Sequence, residues 1–511
     1  VKVLSVDGLA QRLDHRFSLL TGGSRTALPR QRTLTALIDW SYDQLSEQEQ
    51  RMFLRLAVFA GSFSLEAAET VCAGDGIEDF EVLDLVASLT DKSLLVAETS
   101  GRSERYRMLE SLRAYAWEKL GTTGDPKTLA ARHAEYYCRT ALSADKTYGA
   151  KPDAQWLESV EPDTDNFRTV LEWSFSGEGD PALGGMVAGS LERLWRVGGL
   201  EAEGRKWIGI AQEKNDETKT PQVAARLWRA LAWLTSGKRS FEAAEKACAL
   251  YEQLGDGAGL AAALHVLAWG FCHIGQFDRA AVANDRALGW FKEHADKRHI
   301  AACLRQQAKI LEARGDSASA RQLHTQALTL VKALGSQNTV ATALANLAEL
   351  EFREGNPSEA LRYVKEAIEL ASWGKSATDL ATYHTQSAVY RTALNALDAA
   401  RDEALDGLHW ARQAQNEVQI LNAIQLIAYT NALSGDAQRA ARLGGFVGAK
   451  YQELDETLET TEKWSWDQLS TSLRNQLKEI ELKALTEEGA TWSDDQAIDE
   501  ALKAEKEEKA A

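Results

Sequence analysis

The chain has 511 residues, of which 44% are hydrophobic and 26% are charged, and its formal net charge is −17. This length exceeds what one hydrophobic core supports, and only seven prolines favour a helix-rich protein made of several parts. The acidic balance disfavours nucleic acid and anionic membranes as partners of the whole molecule, and no apolar run is long enough to predict a membrane span.

The five cysteines are odd in number and far apart in the sequence. This pattern predicts free thiols in a reducing compartment, and therefore a cytoplasmic protein, because secreted disulfide frameworks use paired and closely spaced cysteines. The first residues, "VKVLSVDGLAQRL", contain neither an initiator methionine nor a signal-peptide pattern. We therefore expect the chain to be a fragment of a longer protein whose beginning is missing.

Residues 33–121 predict a winged helix. Four amphipathic helices are expected over "TLTALIDWSYDQL", "SEQEQRMFLRLAVF", "SLEAAETVC" and "IEDFEVLDLVASLTDKS". Ser46 and Glu49 have the spacing of a capping box at the start of the second. Two strand-like runs, "LLVAET" and "RYRML", follow with a turn between them, and a final helix comes after. Helices followed by a β-hairpin are typical of this domain.

Many winged helices bind DNA with the last helix before the hairpin, which makes a DNA-binding transcription factor the alternative function. Here that helix carries five acidic residues, Glu78, Asp79, Glu81, Asp84 and Asp91, and Lys92 is the basic residue near its end. Because phosphate contacts require lysine or arginine, we expect no direct DNA binding by this unit.

Residues 122–215 continue a helical pattern without a regular period, and they predict irregular helical hairpins. A period of 40 residues follows in residues 216–455: Gly275, Gly315 and Gly355 are followed at the same interval by Asn395 and Gly435. Alanines recur five residues after these positions and seven residues before them, at Ala280, Ala320, Ala360, Ala400 and Ala440, and at Ala268, Ala308, Ala348, Ala388 and Ala428.

Glycine or asparagine suits the left-handed conformation that ends one helix, and small residues at fixed offsets allow the next helix to pack closely. Each unit is therefore predicted to be a helix hairpin, and the pattern resembles the tetratricopeptide repeat. The predicted fold class is mainly α: a winged helix followed by an α-solenoid of tetratricopeptide-like hairpins. Residues 456–511, charged and helix-prone, predict a C-terminal helical cap.

In tetratricopeptide arrays the first helix of each hairpin lines a concave groove. Counting back from the turn residues predicts ten groove positions: His265, Trp269, His273, Arg305, Lys309, Glu349, Phe352, Arg353, Gln425 and Tyr429. Arg305, Lys309 and Arg353 form a candidate basic spot for a carboxylate or phosphate, and ordinary solvated residues are the other interpretation. The expected occupant of the groove is a protein or peptide partner or a small inducer.

The segments "GSRTALPRQRTLTALIDWSYDQLSEQEQRMFLRLAVFAGSFSLEAAETVCAG" and "RYRMLESLRAYAWEKL" resemble the winged-helix region of bacterial STAND-class regulators, relatives of the NB-ARC ATPases. The resemblance extends through the repeats. It implies that an ATPase core precedes this region, that the winged helix closes over nucleotide, and that the repeats sense an inducer or partner. Residues 1–32 would then be the end of the helical subdomain of that core.

The resemblance also implies nucleotide-facing residues. Arg25, Arg30 and Arg32 would approach the missing upstream core, and Leu109 occupies the place of the histidine in the Met-His-Asp segment of the family. Leucine offers no donor to a phosphate. The phosphate-binding motif G-x-x-x-x-G-K-[ST] does not occur in the sequence.

No pattern of catalytic or metal-binding residues stands out, so we expect that the fragment is not an enzyme and holds no cofactor. ADP or ATP with magnesium is expected only with the upstream core, which would be a partner in cis. The predicted function is regulation: a sensor and scaffold fragment that binds its partner or inducer in the groove, away from membranes, and gates the core.

Overall fold

A computed structural model describes residues 29–98, 104–148, 153–235, 237–374, 376–454, 458 and 460–508. The chain divides into two compact units, one formed by residues 1–143 and 160–187 and the other by residues 144–159 and 188–511. Within the described residues, no helix is both long and apolar enough to cross a membrane.

The first unit contains a winged helix. Its described elements are α1 (Pro29–Asp43), α2 (Glu47–Leu56), β1 (Ser62–Ser64), α3 (Leu65–Cys72), α4 (Val82–Asp91), β2 (Val96–Glu98), β3 (Arg105–Arg107) and α5 (Glu110–Thr123). The capping box predicted at α2 is confirmed, because Ser46 Oγ accepts from Glu49 N and the Glu49 carboxylate accepts from Ser46 N at 2.8 Å. The capped helix buries Met52, Phe53 and Leu56 in the core.

The sheet has three antiparallel strands in the order β1-β3-β2. The sequence predicts β2 and β3, and it misses β1, which is three residues long and too short to show an alternating pattern. Phe63 of β1 lies opposite Tyr106 of β3 and stacks on Phe59 at 4.5 Å between ring centroids. The small sheet therefore forms one wall of an aromatic core.

The remaining helices connect the winged helix to the repeats along the chain. They are α6 (Pro126–Thr147), α7 (Asp153–Val160), α8 (Thr164–Phe175), α9 (Pro181–Ser190), α10 (Glu192–Val197) and α11 (Glu201–Lys214). The predicted domain boundaries at 32/33 and 121/122 fall inside α1 and α5, since a helix that joins two segments leaves no turn residues at the junction.

Six helix hairpins follow in the second unit. They pair α12 (Pro221–Leu234) with α13 (Gly237–Leu254), α14 (Gly257–His273) with α15 (Phe277–Glu293), α16 (Lys297–Ala313) with α17 (Ser317–Leu334), α18 (Gln337–Arg353) with α19 (Pro357–Gly374), α20 (Ala377–Ala393) with α21 (Leu397–Ala414), and α22 (Glu417–Leu433) with α23 (Ala437–Leu454). The predicted α-solenoid of tetratricopeptide-like hairpins is confirmed.

The turn residues have the backbone geometry that the period predicts. Gly315, Gly355 and Gly435 have φ values of 86°, 85° and 95°, and Asn395, the non-glycine member of the series, has a φ of 60°. All ten alanines at the two fixed offsets are 0% exposed. A larger side chain at these alanines would separate the two helices of a hairpin, so the small residues set the hairpin geometry.

Among the described residues, three further helices follow the hairpins: α24 (Thr460–Gln476), α25 (Glu479–Ala490) and α26 (Asp494–Glu508). Helix α25 lies directly on α23 through two glycines. A Cβ atom on Gly489 would come within 1.8 Å of the Arg442 carbonyl oxygen, and one on Gly445 within 2.2 Å of the Thr486 carbonyl oxygen. Helix α24 also contacts α23, and it reaches α18, α20 and α22, the first helices of the last three hairpins.

Candidate functional site

A deep pocket of about 380 Å³ lies within the second unit. Its walls come from the first helix of every hairpin, α12, α14, α16, α18, α20 and α22, with contributions from α10, α11 and α24. The volume falls in the range of roughly 300–1,000 Å³ that is typical of small-molecule sites. The repeat geometry therefore gathers side chains from more than 200 residues of sequence around one cavity.

The structure brings together half of the predicted groove residues. His265, Trp269, Arg305, Lys309 and Glu349 line the pocket. The side chain of His273 lies outside the part of the chain that the structure describes.

Three other predicted groove residues lie beneath the C-terminal helix α24. Phe352 and Tyr429 pack against Trp464 at ring-centroid distances of 5.2 and 6.1 Å. Gln425 Nε2 donates to the Glu462 carbonyl oxygen at 2.7 Å and to Ser465 Oγ at 2.6 Å. Part of the concave face is therefore filled by the chain itself, which the repeat pattern gives no means to foresee.

Two of the three residues of the predicted basic spot, Arg353 and Lys309, are held in separate ion pairs. Arg353 lies 3.6 Å from the Glu312 carboxylate, and Lys309 lies 3.8 Å from that of Glu349. Arg305 has no carboxylate within salt-bridge distance among the described residues, and its Nη1 atom is buried without a hydrogen-bond partner in the protein. Burial lowers the pKa of Arg305 to about 10, so its guanidinium keeps its charge at neutral pH.

Three further arginines line the pocket that the sequence reasoning missed: Arg193, Arg196 and Arg298. Arg193 and Arg196 both approach the buried Glu192 carboxylate, at 3.3 and 3.4 Å, and Arg298 Nη2 donates to Asp153 at 3.0 Å. Arg298 precedes Arg305 by seven residues, so extending the helical count by two turns would have found it. Arg193 and Arg196 lie outside the repeat register and carry no such signal.

Aromatic rings and guanidinium groups contact each other in the pocket wall. The Arg196 guanidinium lies 4.5 Å from the Trp233 ring centroid, and that of Arg298 lies 4.2 Å from the Tyr148 ring centroid. These cation–π contacts hold the arginine planes in place. Burial lowers the pKa of His265 to about 3, with the nearby charge of His299 and Arg305 adding to the effect, so this histidine is neutral at physiological pH.

The pocket concentrates buried polar atoms that lack a partner within the protein. They belong to Glu201 (both carboxylate oxygens), Arg298 (Nε), Arg305 (Nη1), Asn338 (Oδ1), Gln386 (Oε1) and Gln419 (Oε1). Buried polar groups are ordinarily satisfied, and each exception calls for an explanation. A polar ligand or ordered water entering this cavity would satisfy them.

The winged helix presents a different surface. On α4 the exposed residues are Leu83, Asp84, Ala87 and Asp91, and none of them is basic. The Lys92 ammonium beside this helix donates to the Glu49 carboxylate. This face therefore offers acidic and apolar groups where a DNA phosphate would require a cation.

The predicted nucleotide-facing residues are only partly described. Arg25 lies outside the described residues, as do the side chains of Arg30 and Arg32, whose backbone belongs to α1. Leu109 precedes α5 as its N-cap residue, is 43% exposed and makes no side-chain cap. Among the described residues, no group of three or more histidine, cysteine, aspartate or glutamate side chains is arranged to hold a metal ion.

Two family models match the chain. A winged helix-turn-helix domain matches residues 45–121, and a tetratricopeptide repeat matches residues 299–372. Both matched domains are of non-catalytic kinds. The chain therefore combines a winged helix-turn-helix domain with tetratricopeptide repeats.

Curated relatives come from mycobacteria. The chain is 40% identical over 278 residues to "Putative HTH-type transcriptional regulator Rv0890c" of Mycobacterium tuberculosis and to the corresponding Mb0914c of Mycobacterium bovis. The match covers 52% of this chain and 31% of those proteins, so the chain spans about a third of the length of these relatives. It is also 38% identical over 125 residues to "Uncharacterized protein Rv0894", covering 24% of this chain and 32% of that protein.

Two solved structures are similar at low identity. One is a STAND protein with a tetratricopeptide repeat sensor, PH0952 from Pyrococcus horikoshii, with 14% identity and a TM-score of 0.43 over 98% of this chain and 72% of that one. The other is a Rap protein complexed with competence and sporulation factor, with 14% identity and a TM-score of 0.43 over 71% of this chain and 100% of that one.

Proposed function

We propose that the chain is the sensor and scaffold part of a STAND-type, transcription-regulating protein, and that the pocket holds its inducer or a segment of a partner protein. The observation that carries this proposal is the cavity lined by the first helix of all six hairpins, with its unsatisfied polar atoms. The similarity to proteins named as HTH-type regulators supports the regulatory role.

The mechanism is a two-state switch in the cytoplasm. An upstream nucleotide-binding core in cis would bind ADP or ATP with magnesium, and the winged helix would regulate its opening. A ligand shifts such an equilibrium only by the difference between its affinities for the two states. Because the pocket wall comes from all six hairpins, a ligand that bridges them changes the relative free energy of any state in which the hairpins are arranged differently.

A thermal-shift experiment tests the sensor role. The full chain is screened against a defined library of bacterial metabolites and short peptides, together with a variant that fills the pocket, Ala302→Trp, and a control on the exposed face of α17, Ala318→Trp. A ligand at 100 times its Kd stabilises the folded state by about 2.7 kcal/mol.

We expect library members that raise the Tm of the wild type and of Ala318→Trp, and that leave the Tm of Ala302→Trp unchanged. If a compound raised the Tm of Ala302→Trp as much as that of the wild type, binding would lie outside the pocket and the proposal would be contradicted. A library in which no compound raises the Tm of any of the three proteins would also contradict it.

Direct DNA binding by the winged helix is the second candidate, and the match to a winged helix-turn-helix domain favours it. The acidic and apolar exposed face of α4 argues against it. We therefore propose that in this protein the winged helix makes protein contacts, and that DNA recognition belongs to other parts of the full-length regulator.

A further inference from the structure

We propose that the pocket binds a small monocarboxylic acid that also carries N–H or O–H donors, and that its carboxylate lies on Arg305. The inference rests on the sensor function proposed above and assigns a ligand class to the same pocket. It depends on one imbalance of charge, on the buried acceptor atoms that have no hydrogen-bond partner, and on the aromatic lining of the cavity.

Arg305 differs from the other cationic side chains of the pocket. Each of the others has a carboxylate within 4.0 Å: Arg193 and Arg196 share Glu192, Arg298 has Asp153, and Lys309 has Glu349. Within the described residues Arg305 has none, and Asp379 acts on it only through longer-range electrostatics. The pocket therefore contains one arginine whose charge the protein leaves without a direct partner.

Arg305 is half-buried, and a guanidinium whose buried nitrogen has no partner is costly to the folded state unless an anion completes it. His265 beside it is neutral at physiological pH, so it neither balances the charge of Arg305 nor adds a second positive charge. A carboxylate matches the planar fork of arginine in geometry and charge, and such charge-assisted hydrogen bonds are about twice as strong as neutral ones. The ligand is therefore expected to bring one negative charge.

The acidic lining of the same cavity limits that charge to one. Glu201, Asp379 and Glu462 line the pocket, and their negative charge disfavours a phosphate dianion. Burial, together with the nearby charge of Asp379, raises the pKa of Glu201, against the lowering effect of the backbone N–H groups of Glu201 and Thr378 and of the Arg196 charge. At strict hydrogen-bond geometry, neither of its carboxylate oxygens has a partner in the protein. Gln386 and Gln419 add two orphaned acceptor oxygens. These acceptors call for N–H or O–H donors on the ligand.

Aromatic side chains of the same pocket wall offer apolar surface to the body of a ligand. Trp233 and Trp269 line one part of the wall and Tyr383 another, and the Tyr383 hydroxyl is fixed by donating to Thr342 Oγ1 at 3.2 Å. A ring-bearing amino or hydroxy acid satisfies all these features at once, with its carboxylate on Arg305 and its donors on Glu201 and the glutamine oxygens.

Affinity-selection mass spectrometry tests the class directly. The full chain is incubated with a matched set of aryl-substituted amino and hydroxy acids, the primary amide of each, and the corresponding aryl-alkyl phosphates, at millimolar concentration. An acid whose carboxylate contacts Arg305 should bind about 10- to 100-fold more tightly than its primary amide, because the amide lacks the hydrogen bond between two charged groups.

The variants are Arg305→Met and the control Arg362→Met, an exposed arginine on α19 outside the pocket. We expect Arg305→Met to bind acid and amide equally and Arg362→Met to keep the wild-type preference. The proposal is overturned if no acid is retained better than its amide, if the phosphates are retained best, or if Arg305→Met keeps the preference.

Thermal unfolding without ligand supplies a second test that does not depend on choosing the right compound. Arg305→Met should leave the Tm unchanged or raise it. Arg298→Met should lower the Tm, because it removes the cation from the buried Asp153 carboxylate, which keeps only its hydrogen bonds from Ser336 and Asn338. An equal loss in both variants would mean that the fold already satisfies Arg305. Amides that bind as well as acids and are lost in Ala302→Trp would refute the ligand class and leave the sensor function standing.

Discussion

At the residue scale, charged groups in this chain are placed by partners that are far away in sequence. Glu49 of α2 accepts from Ser88 Oγ at 2.5 Å and from the Lys92 ammonium, about 40 residues later. Burial raises the pKa of this carboxyl, but the hydrogen bonds from Lys92, Ser88 and Ser46 outweigh it and lower the pKa to about 2. The capping-box residue predicted from the sequence therefore also ties α2 to α4.

The low pKa of Glu49 predicts a pH-dependent stability of the winged helix. Its ordinary pKa is 4.5, so its contribution is fully present above that pH and is lost as the pH falls towards 2. We expect Glu49→Gln to lower the local free energy of unfolding by about 1–3 kcal/mol at pH 7, and the difference from the wild type to vanish near pH 2. Hydrogen exchange of peptides from α2 and α4 at several pH values measures this.

The matched control is Glu47→Gln, two residues earlier on the same helix. Its side chain is 91% exposed and lies 3.7 Å from Arg51, and such surface pairs contribute little. A loss in Glu49→Gln that stays constant from pH 7 to pH 2 would show that packing, and not the charge, is responsible.

At the element scale, the side chains that a helix exposes determine what the helix can bind. The first helices of the hairpins line the pocket with charged and aromatic residues. By contrast, α4 of the winged helix buries Val82, Leu85 and Leu89 and exposes an acidic and apolar face. The identity of a domain therefore does not decide its partner. Its exposed side chains do.

The α4 surface predicts that this chain does not bind DNA on its own. In an electrophoretic mobility shift experiment with mixed-sequence duplex DNA at moderate salt, we expect no shifted band, because the exposed face of α4 offers no cation to a phosphate. Asp84→Lys/Asp91→Lys serves as the positive control for the geometry, since it places two cations on that face. A shifted band with the wild-type chain would instead support the DNA-binding alternative.

At the scale of the whole molecule, the repeat array is partly occupied by its own C-terminus. Helix α24 covers Phe352, Gln425 and Tyr429 and contributes Glu462 to the pocket wall. Residues that follow the array therefore limit how much of the concave face remains for a ligand. The cavity between α10 and α24 is the part of this face where we propose that a ligand binds.

The proposed upstream core allows one prediction about the full-length protein. Leu109 begins α5 with an exposed side chain that has no donor, where the resembling family places a histidine. If the winged helix closes over nucleotide, Leu109→His in the full-length parent should slow the release of ADP, because an imidazole N–H can donate to a phosphate. Leu109→Phe is the control for size. Equal ADP release rates in all three proteins would contradict the proposed closure.

Local patterns in the sequence determined the hairpin repeat, the capping box and the winged-helix order, because glycine conformations, small-residue offsets and cap spacing act within a few turns of helix. They also found Arg305 and Trp269 by helical counting. Long-range packing decided the rest: Arg298 pairs with Asp153 across 145 residues, and α24 covers part of the predicted groove. Helical counting in the sequence identifies charged residues that can line a pocket. Only the folded chain shows which of these residues are paired with carboxylates, and that Arg305 is left for a ligand.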